Sequence, residues 1–181
     1  YLTSDYERSS PYRLLTLEWI EKLQKEKNDL RIIDMGCGLG HFANRLRKYT
    51  SNVLGIDVAA TAIKKAKEQY PDCEYVQGDI LDFENIEKFH PDVLILHECT
   101  WYVLPKLKRF LAYMKEHFPN IYLIQLLVTY PPGVQKNGPE YFMDCEGILK
   151  FFDLDYLDSK VFPDKLENHK RTFFIGKFKK S

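Results

Sequence analysis

The sequence predicts an α/β protein: an open, doubly wound, mostly parallel sheet with helices on both faces. Three observations predict it. Short apolar runs recur along the chain, Ile32-Ile33, Val53-Leu54-Gly55-Ile56 and Val93-Leu94-Ile95-Leu96, and the first two end in an acid, Asp34 and Asp57. Strands that are apolar throughout are those covered by helices on both faces. Stretches of helical period separate these runs. Between the first strand and its helix, Gly36, Gly38 and Gly40 stand at every second position, a tight turn with no side chains in the way. A strand, a bare turn and a helix N-terminus together make a cradle where a ligand can lie against backbone N–H groups.

The chain of 181 residues is expected to form one domain, residues 1–181, with a core of its own. Hydrophobic residues make up 45% and aromatic residues 14%, which excludes a disordered chain. Lys plus Arg equals Asp plus Glu, at 26 each. Such a balance creates no global field for nucleic acid or an acidic membrane. No apolar run approaches membrane-spanning length and no signal-peptide pattern opens the sequence. Cys37, Cys73, Cys99 and Cys145 are scattered, with no C-x-x-C pair. They read as free thiols rather than a zinc site or a disulfide framework, and the expected compartment is the cytoplasm.

In order, Ser10-Pro11 starts a helix, serine as cap and proline at the first helical position, carried to about Lys25 by Leu15, Trp19, Ile20 and Leu23. Ahead of it lies a segment with two aromatics and one cation, which reads as a surface arm. Phe42 and Leu46 set the helix after the glycine turn. Asn52 to Asp57 is the second strand, and Asp57 stands about twenty residues past the glycines, where an open α/β sheet brings a carboxylate beside a ribose. Capping of the next helix, Ala59 to Tyr70 with Ile63, Ala66 and Tyr70 inward, is its other possible role. Cys73 to Ile80 is the third strand, running into Gly78-Asp79. Pro91 to Leu96 is the fourth, and His97-Glu98-Cys99-Thr100-Trp101-Tyr102 follows at its carboxyl end, where doubly wound folds hold their ligands. Pro105 is expected to open a helix with Leu107, Phe110, Leu111, Met114 and Phe118 on its core face. Ile121 to Val128 is the fifth strand. The irregular stretch from Thr129 to Pro139 is a candidate for substrate selection through Tyr130. A helix from Tyr141 to Phe152 and strands at Leu154–Leu157 and Arg171–Phe178, joined by a polar loop, complete the chain; Lys177, Lys179 and Lys180 read as a solvated tail.

The run Asp34-Met35-Gly36-Cys37-Gly38-Leu39-Gly40 resembles motif I, D/E-x-G-x-G-x-G, of the class I S-adenosylmethionine-dependent methyltransferases. The resemblance continues at Asp57, at Asp79-Ile80 and at the end of the fourth strand, and covers the chain from about Arg31 to Phe178. It implies a seven-stranded, mostly parallel sheet whose last strand runs antiparallel between the fifth and sixth. It implies S-adenosylmethionine as cofactor and S-adenosylhomocysteine as product. The residues it assigns to the cofactor are Asp34, Gly36, Cys37, Gly38, Asp57, Val58, Asp79, Ile80 and His97. Asp57 would take the ribose, Asp79 the adenine amino group, and Ile80 the face of the ring. In this family N-terminal segments often fold over the cofactor, which makes the arm and helix over residues 1–28 a candidate lid through Tyr6, Arg8 and Tyr12, with a plain surface arm as the alternative. His97 and Glu98 are the candidate catalytic residues, His97 as the base, since an unperturbed imidazole is largely neutral near pH 7. Trp101, Tyr102 and Tyr130 are the candidate acceptor contacts, and no metal is implied.

The family's Asn/Asp-Pro-Pro-Tyr motif, used on amino groups of bases and glutamines, is not at the end of the fourth strand; Pro131-Pro132 follows the fifth instead. The expected partner is therefore a small polar acceptor, with O-methylation of a sugar or other metabolite in a glycan or natural-product pathway as the leading reading. N-methylation of a small amine stays open, as does a silent cofactor-binding module that regulates a partner. A nicotinamide-dependent oxidoreductase is a further alternative, although its G-x-G-x-x-G fingerprint would need glycine where His41 stands.

Overall fold

The computed structural model describes residues 10–131, 133–135, 138–164 and 169–179. The arm residues Tyr6 and Arg8, Pro132 of the Pro-Pro pair, and Lys180 lie outside them. Seven strands follow the order β3-β2-β1-β4-β5-β7-β6 in one sheet, numbered along the chain. The last strand is inserted, antiparallel, between the fifth and sixth, as the resemblance implied. Two compact units divide the chain, one up to Ile95 and one from Leu96 onward.

The first unit opens with α1 (Pro11–Glu26), which buries Leu15, Leu17, Ile20 and Leu23. Pro11 stands at its start as expected, but the Ser10 side chain makes no cap bond; its carbonyl takes the Arg13 and Leu14 amides instead. Strand β1 (Ile32–Met35) is buried at every position, β2 (Val53–Asp57) at all but its last, and β3 (Glu74–Gln77) at Tyr75. All three pair in parallel, β1 with β2 and β2 with β3. Between them lie α2 (His41–Leu46) and α3 (Ala60–Gln69), the latter burying Ala62, Ile63 and Ala66 while Tyr70 is half-buried. A further short helix, α4 (Phe83–Phe89), has no expectation behind it. It buries only Ile86 and ends on His90 in the left-handed region, so it offers neither a periodic stripe nor a glycine stop to be read. Strand β4 (Val93–His97) is buried throughout.

In the second unit, α5 (Thr100–His117) begins five residues before Pro105, correcting the expected start. Proline removes the amide that would meet the Trp101 carbonyl and crowds that carbonyl. Tertiary bonds hold the first turn regardless: the Trp101 indole N–H donates to the Val128 carbonyl at 2.8 Å, and the Gln125 amide bonds the Thr100 hydroxyl. The core face is as expected at Leu107, Phe110, Leu111 and Met114. Strand β5 (Tyr122–Thr129) follows, and then α6 (Cys145–Phe152), which starts four residues later than expected because Asp144 caps it, accepting the Gly147 N–H at 2.8 Å. Strand β6 (Leu154–Asp164) runs seven residues past the expected end at Leu157, while β7 (His169–Phe178) begins two residues before the expected Arg171; they form a ribbon with a bulge between Tyr156 and Asp158. Alternation with charged residues hid it, since an antiparallel ribbon needs only one apolar face. Its core is aromatic: Phe152 packs edge-on to Phe174, and Tyr156 does so from the other strand.

Candidate cofactor turn and strand-end cluster

In the first unit every glycine of the turn has a left-handed backbone: φ is +77° at Gly36, +55° at Gly38 and +78° at Gly40. Side chains avoid that region at a cost of about 1–2 kcal/mol each, which accounts for three glycines at alternate positions. The amides of the turn, however, point inward. Gly36 and Cys37 both donate to the Ile56 carbonyl, at 2.7 and 3.0 Å, and Gly40 donates to the Cys37 carbonyl at 3.0 Å. Gly38 donates to Asp57 Oδ2 at 2.9 Å. The expectation of a cradle of N–H groups is thereby corrected at these four positions: their amides serve β2 and the turn itself.

Asp57 ends β2, and its carboxylate accepts two backbone amides, one of them in the glycine turn. While Oδ2 holds Gly38, Oδ1 accepts the N–H of Ala59, which leads into α3. One carboxylate thus ties the glycine turn to the next crossover. Beside it Val58 is 61% exposed, a bare apolar side chain at the strand end. Asp79 folds the chain after β3 by accepting the Leu81 N–H at 3.1 Å, and Ile80 is buried. Asp34 and Cys37 are buried beneath the turn. Burial, then the charges of Asp34 and Asp57, pushes the Cys37 thiol far above its ordinary value, which makes it a neutral packing group rather than a nucleophile.

Two residues of this unit escaped sequence reasoning. The Tyr75 ring lies under the turn, its hydroxyl donating to the Gly40 carbonyl at 3.2 Å. A Cβ at Gly40 would sit 2.4 Å from that hydroxyl, and one at Gly55 would sit 2.6 Å from the ring. Hence both glycines make room for one tyrosine, and only tertiary packing reveals it. Arg13 is 5% exposed, with its guanidinium 5.0 Å from the centre of the Phe42 ring at the start of α2. Burial and, second, the charge of Arg13 hold His41 below the usual imidazole value; His41 Nδ1 lies 2.7 Å from the Tyr70 hydroxyl. The signal for it in the sequence is a cation among the core-facing positions of the first helix.

The second unit gathers most of the residues expected at the strand ends. His97 closes β4 and is buried. Glu98 follows with φ +56°, its N–H donating to the Leu126 carbonyl at 2.8 Å. Its side chain meets Arg171 of β7, Oε1 to Nε at 3.5 Å. Trp101 lies against Phe142, ring centres 5.6 Å apart, with its N–H on Val128. Tyr130 is 40% exposed and edge-on to His169 at 5.7 Å. Tyr102 is set apart on the outer face of α5, 86% exposed. The loop after β5 has a fold of its own: Gln135 accepts the Tyr130 N–H and donates to the Phe142 carbonyl, while Gly138 packs on Trp101 and Leu104.

An open sheet of this order, with a left-handed glycine turn after its first strand and an acid closing the second, defines a nucleotide- or nucleoside-binding α/β domain. The order β5-β7-β6, with β7 antiparallel to both neighbours, narrows the class further. Residues 32–119 match the family described as "Methyltransferase domain". Those residues form a methyltransferase domain, and the seven-stranded sheet has the class I methyltransferase fold. Among curated relatives, protein 235L of Invertebrate iridescent virus 6, which carries a methyltransferase name, is 28% identical over 130 residues, 69% of this chain and 48% of that protein. A malonyl-[acyl-carrier protein] O-methyltransferase of Pectobacterium atrosepticum is 34% identical over 77 residues, 42% of this chain and 28% of that protein. The chain thus spans about half the length of the first relative and less of the second. Among solved structures, the N-methyltransferase NodS from Bradyrhizobium japonicum WM9, in complex with S-adenosyl-L-homocysteine, superposes with a TM-score of 0.70 at 14% identity. That match covers 95% of this chain and 90% of NodS, and it shows a shared fold.

Proposed function

We propose that the protein transfers a methyl group from S-adenosylmethionine to an oxygen of a small polar acceptor, a sugar or other metabolite. The observation that carries the cofactor is the direction of the amides in the glycine turn. A dinucleotide is held by its pyrophosphate, an anion that needs N–H donors at such a turn. Here the amides of Gly36, Cys37, Gly38 and Gly40 are already donated within the protein, and two carboxylates, Asp34 and Asp57, stand close by. That setting repels a pyrophosphate and suits the cationic sulfonium and ammonium groups of S-adenosylmethionine. It therefore disfavours the nicotinamide alternative on chemistry, independently of His41.

The residues fit the cofactor as follows. Asp57 keeps lone pairs beyond its two backbone bonds and can accept ribose hydroxyls. Val58, exposed and apolar, and Ile80 offer surfaces for the adenine ring, with Asp79 to accept from its amino group. Arg13 supplies a buried positive charge for the carboxylate of the amino-acid end. The cofactor brings an activated methyl group on sulfur, so the protein's task is alignment of the acceptor, and for a hydroxyl acceptor removal of its proton. His97 is the base in this reading. Glu98, engaged with Arg171, has a different task.

The O-methyltransferase name of the Pectobacterium relative supports oxygen as the acceptor atom. NodS bears an N-methyltransferase name on the same fold, so the fold does not decide between them. The experiment is incubation with isotopically methyl-labelled cofactor and a metabolite extract, followed by mass spectrometry. A labelled product stable to mild acid and carrying the methyl on oxygen supports the reading. Labelled amines would replace it with the N-methyl alternative, and tight S-adenosylhomocysteine binding with no labelled product would favour the silent module.

A further inference from the structure

We propose that the outer edge of β6 is a self-recognition surface: two copies of this chain pair antiparallel along it, with Ser159 on the two-fold axis. The sheet ends at β6, which pairs with β7 on one side and with no strand among the described residues on the other. An edge strand leaves a row of N–H and C=O groups open to another strand. With 11 residues it is also the longest strand described. Two apolar side chains along it are exposed, Leu157 at 50% and Val161 at 41%. Ser159 and Lys160 between them are exposed as well.

The order of residues sets both partner and register. When two identical strands pair antiparallel the contact is isologous, so each residue meets the one lying equally far beyond the axis. With Ser159 facing its own copy, Asp158 faces the partner's Lys160 and Leu157 faces the partner's Val161. The two-fold repeats both, giving two charge pairs and two apolar pairs, the cross-strand kinds that stabilise a ladder. Other registers lose this match. An axis on Asp158 or on Lys160 sets like charges face to face. An axis between Asp158 and Ser159 sets Leu157 against lysine, and one between Ser159 and Lys160 sets Asp158 against valine. Asp158 and Lys160 already lie on one face, 3.7 Å apart. Pairing therefore adds an opposite charge to each without breaking their contact, and the signs alternate around the four side chains.

Features that blunt an edge stand toward the two ends of this stretch. A bulge falls between Tyr156 and Asp158, and Pro163, which has no N–H, comes just before the last residue of β6. They confine the pairing to the residues around Ser159, with the charge pairs at its centre and the apolar pairs at its rim. The pairing also closes on itself, because two β6 edges that meet leave neither free. So short a contact lies at the low end of interface sizes, below about 1,200 Å², and the dimer is weak and concentration-dependent.

The test is sedimentation equilibrium of the whole chain from micromolar to millimolar concentration, where a monomer–dimer equilibrium is expected. Lys160→Asp sets aspartate against the partner's Asp158 and should raise the dimer Kd tenfold or more; Asp158→Lys sets lysine against lysine and should do the same. An equimolar mixture of the two variants should recover the dimer, because each chain then supplies the charges the other lacks. Ser159→Cys should give a disulfide-linked dimer on mild oxidation, since facing Cα atoms about 4.5–5.5 Å apart lie within disulfide range. The wild-type chain and Asp155→Cys, whose two copies would stand about 25 Å apart, should not. Urea midpoints near the wild-type value show that the variants are folded. Should Asp158→Lys fail to fold, the loss in Lys160→Asp and the Ser159→Cys cross-link decide the matter. A chain monomeric at millimolar concentration, a dimer indifferent to the charge reversals, a mixture of the two variants that stays monomeric, or Asp155→Cys cross-linking as readily as Ser159→Cys would overturn the proposal.

Discussion

Replacing Asp57 by alanine tests whether one carboxylate both builds the glycine turn and holds the cofactor. Its oxygens accept the Gly38 and Ala59 amides, each at 2.9 Å. Hydrogen bonds to a charged acceptor contribute about 1.5–3 kcal/mol where they are sheltered. Asp57 is half-buried, so water can answer part of the loss, and we expect Asp57→Ala to cost about 1–3 kcal/mol of folding stability in total. Loss of the ribose contacts should cost a further amount of about 1.5–3 kcal/mol in binding, roughly ten- to a hundredfold in S-adenosylhomocysteine affinity. Asp57→Asn divides the two effects. Its single carbonyl oxygen can serve Gly38 or Ala59 but not both, because the amide nitrogen is itself a donor. The asparagine variant should therefore lie between wild type and alanine in both measurements. Urea unfolding gives the first quantity and calorimetry on the folded protein the second. If Asp57→Ala binds S-adenosylhomocysteine like wild type, the ribose assignment is wrong; if it binds weakly but unfolds like wild type, the carboxylate has no part in holding the turn.

Three further expectations follow from the same geometry. Gly40→Ala meets a left-handed φ and the Tyr75 hydroxyl at 2.4 Å, so it should destabilise by about 2–5 kcal/mol, and adding Tyr75→Phe should recover only part, because ring carbons remain at 2.7 and 2.8 Å; a double-mutant cycle by urea unfolding would refute this if the single variant were neutral. His97→Ala should keep near-normal S-adenosylhomocysteine affinity while kcat falls by about 10²–10⁴, as expected for loss of a general base; wild-type turnover would leave alignment alone as the mechanism. His41 has a folded-state value lowered below its ordinary 6.5 by burial and then by Arg13, so its contribution to stability is full above the ordinary 6.5 and is lost as pH falls from there through the lower folded-state value. Urea midpoints taken from pH 8 down to pH 5 should decline less steeply in His41→Gln than in wild type, and parallel curves would show that His41 does not link folding to protons.

Much of the fold was legible in the sequence because its signals are local. Buried parallel strands must be apolar on both faces, so β1, β2 and β4 read directly from Ile32-Ile33, Val53 to Ile56 and Val93 to Leu96. The glycines at 36, 38 and 40 mark left-handed backbone that few other residues adopt, and the acids at the ends of β1 and β2, Asp34 next to last and Asp57 last, stand out beside them. Tertiary structure decided what depends on partners distant in the chain. Whether α5 starts at Pro105 or at Thr100 turned on bonds from Trp101 and Gln125, which no helical propensity encodes. The far half of β6, from Asp158 to Asp164, is strand because β7 satisfies its backbone, while its polar alternation reads as loop. The direction of the turn's amides, the tyrosine beneath Gly40 and the pairing of Glu98 with Arg171, 73 residues away, are likewise properties of packing. Sequence could name the acids and glycines, since their chemistry belongs to single residues; where the neighbouring N–H groups point depends on partners distant in the chain, and only the folded chain fixes that direction.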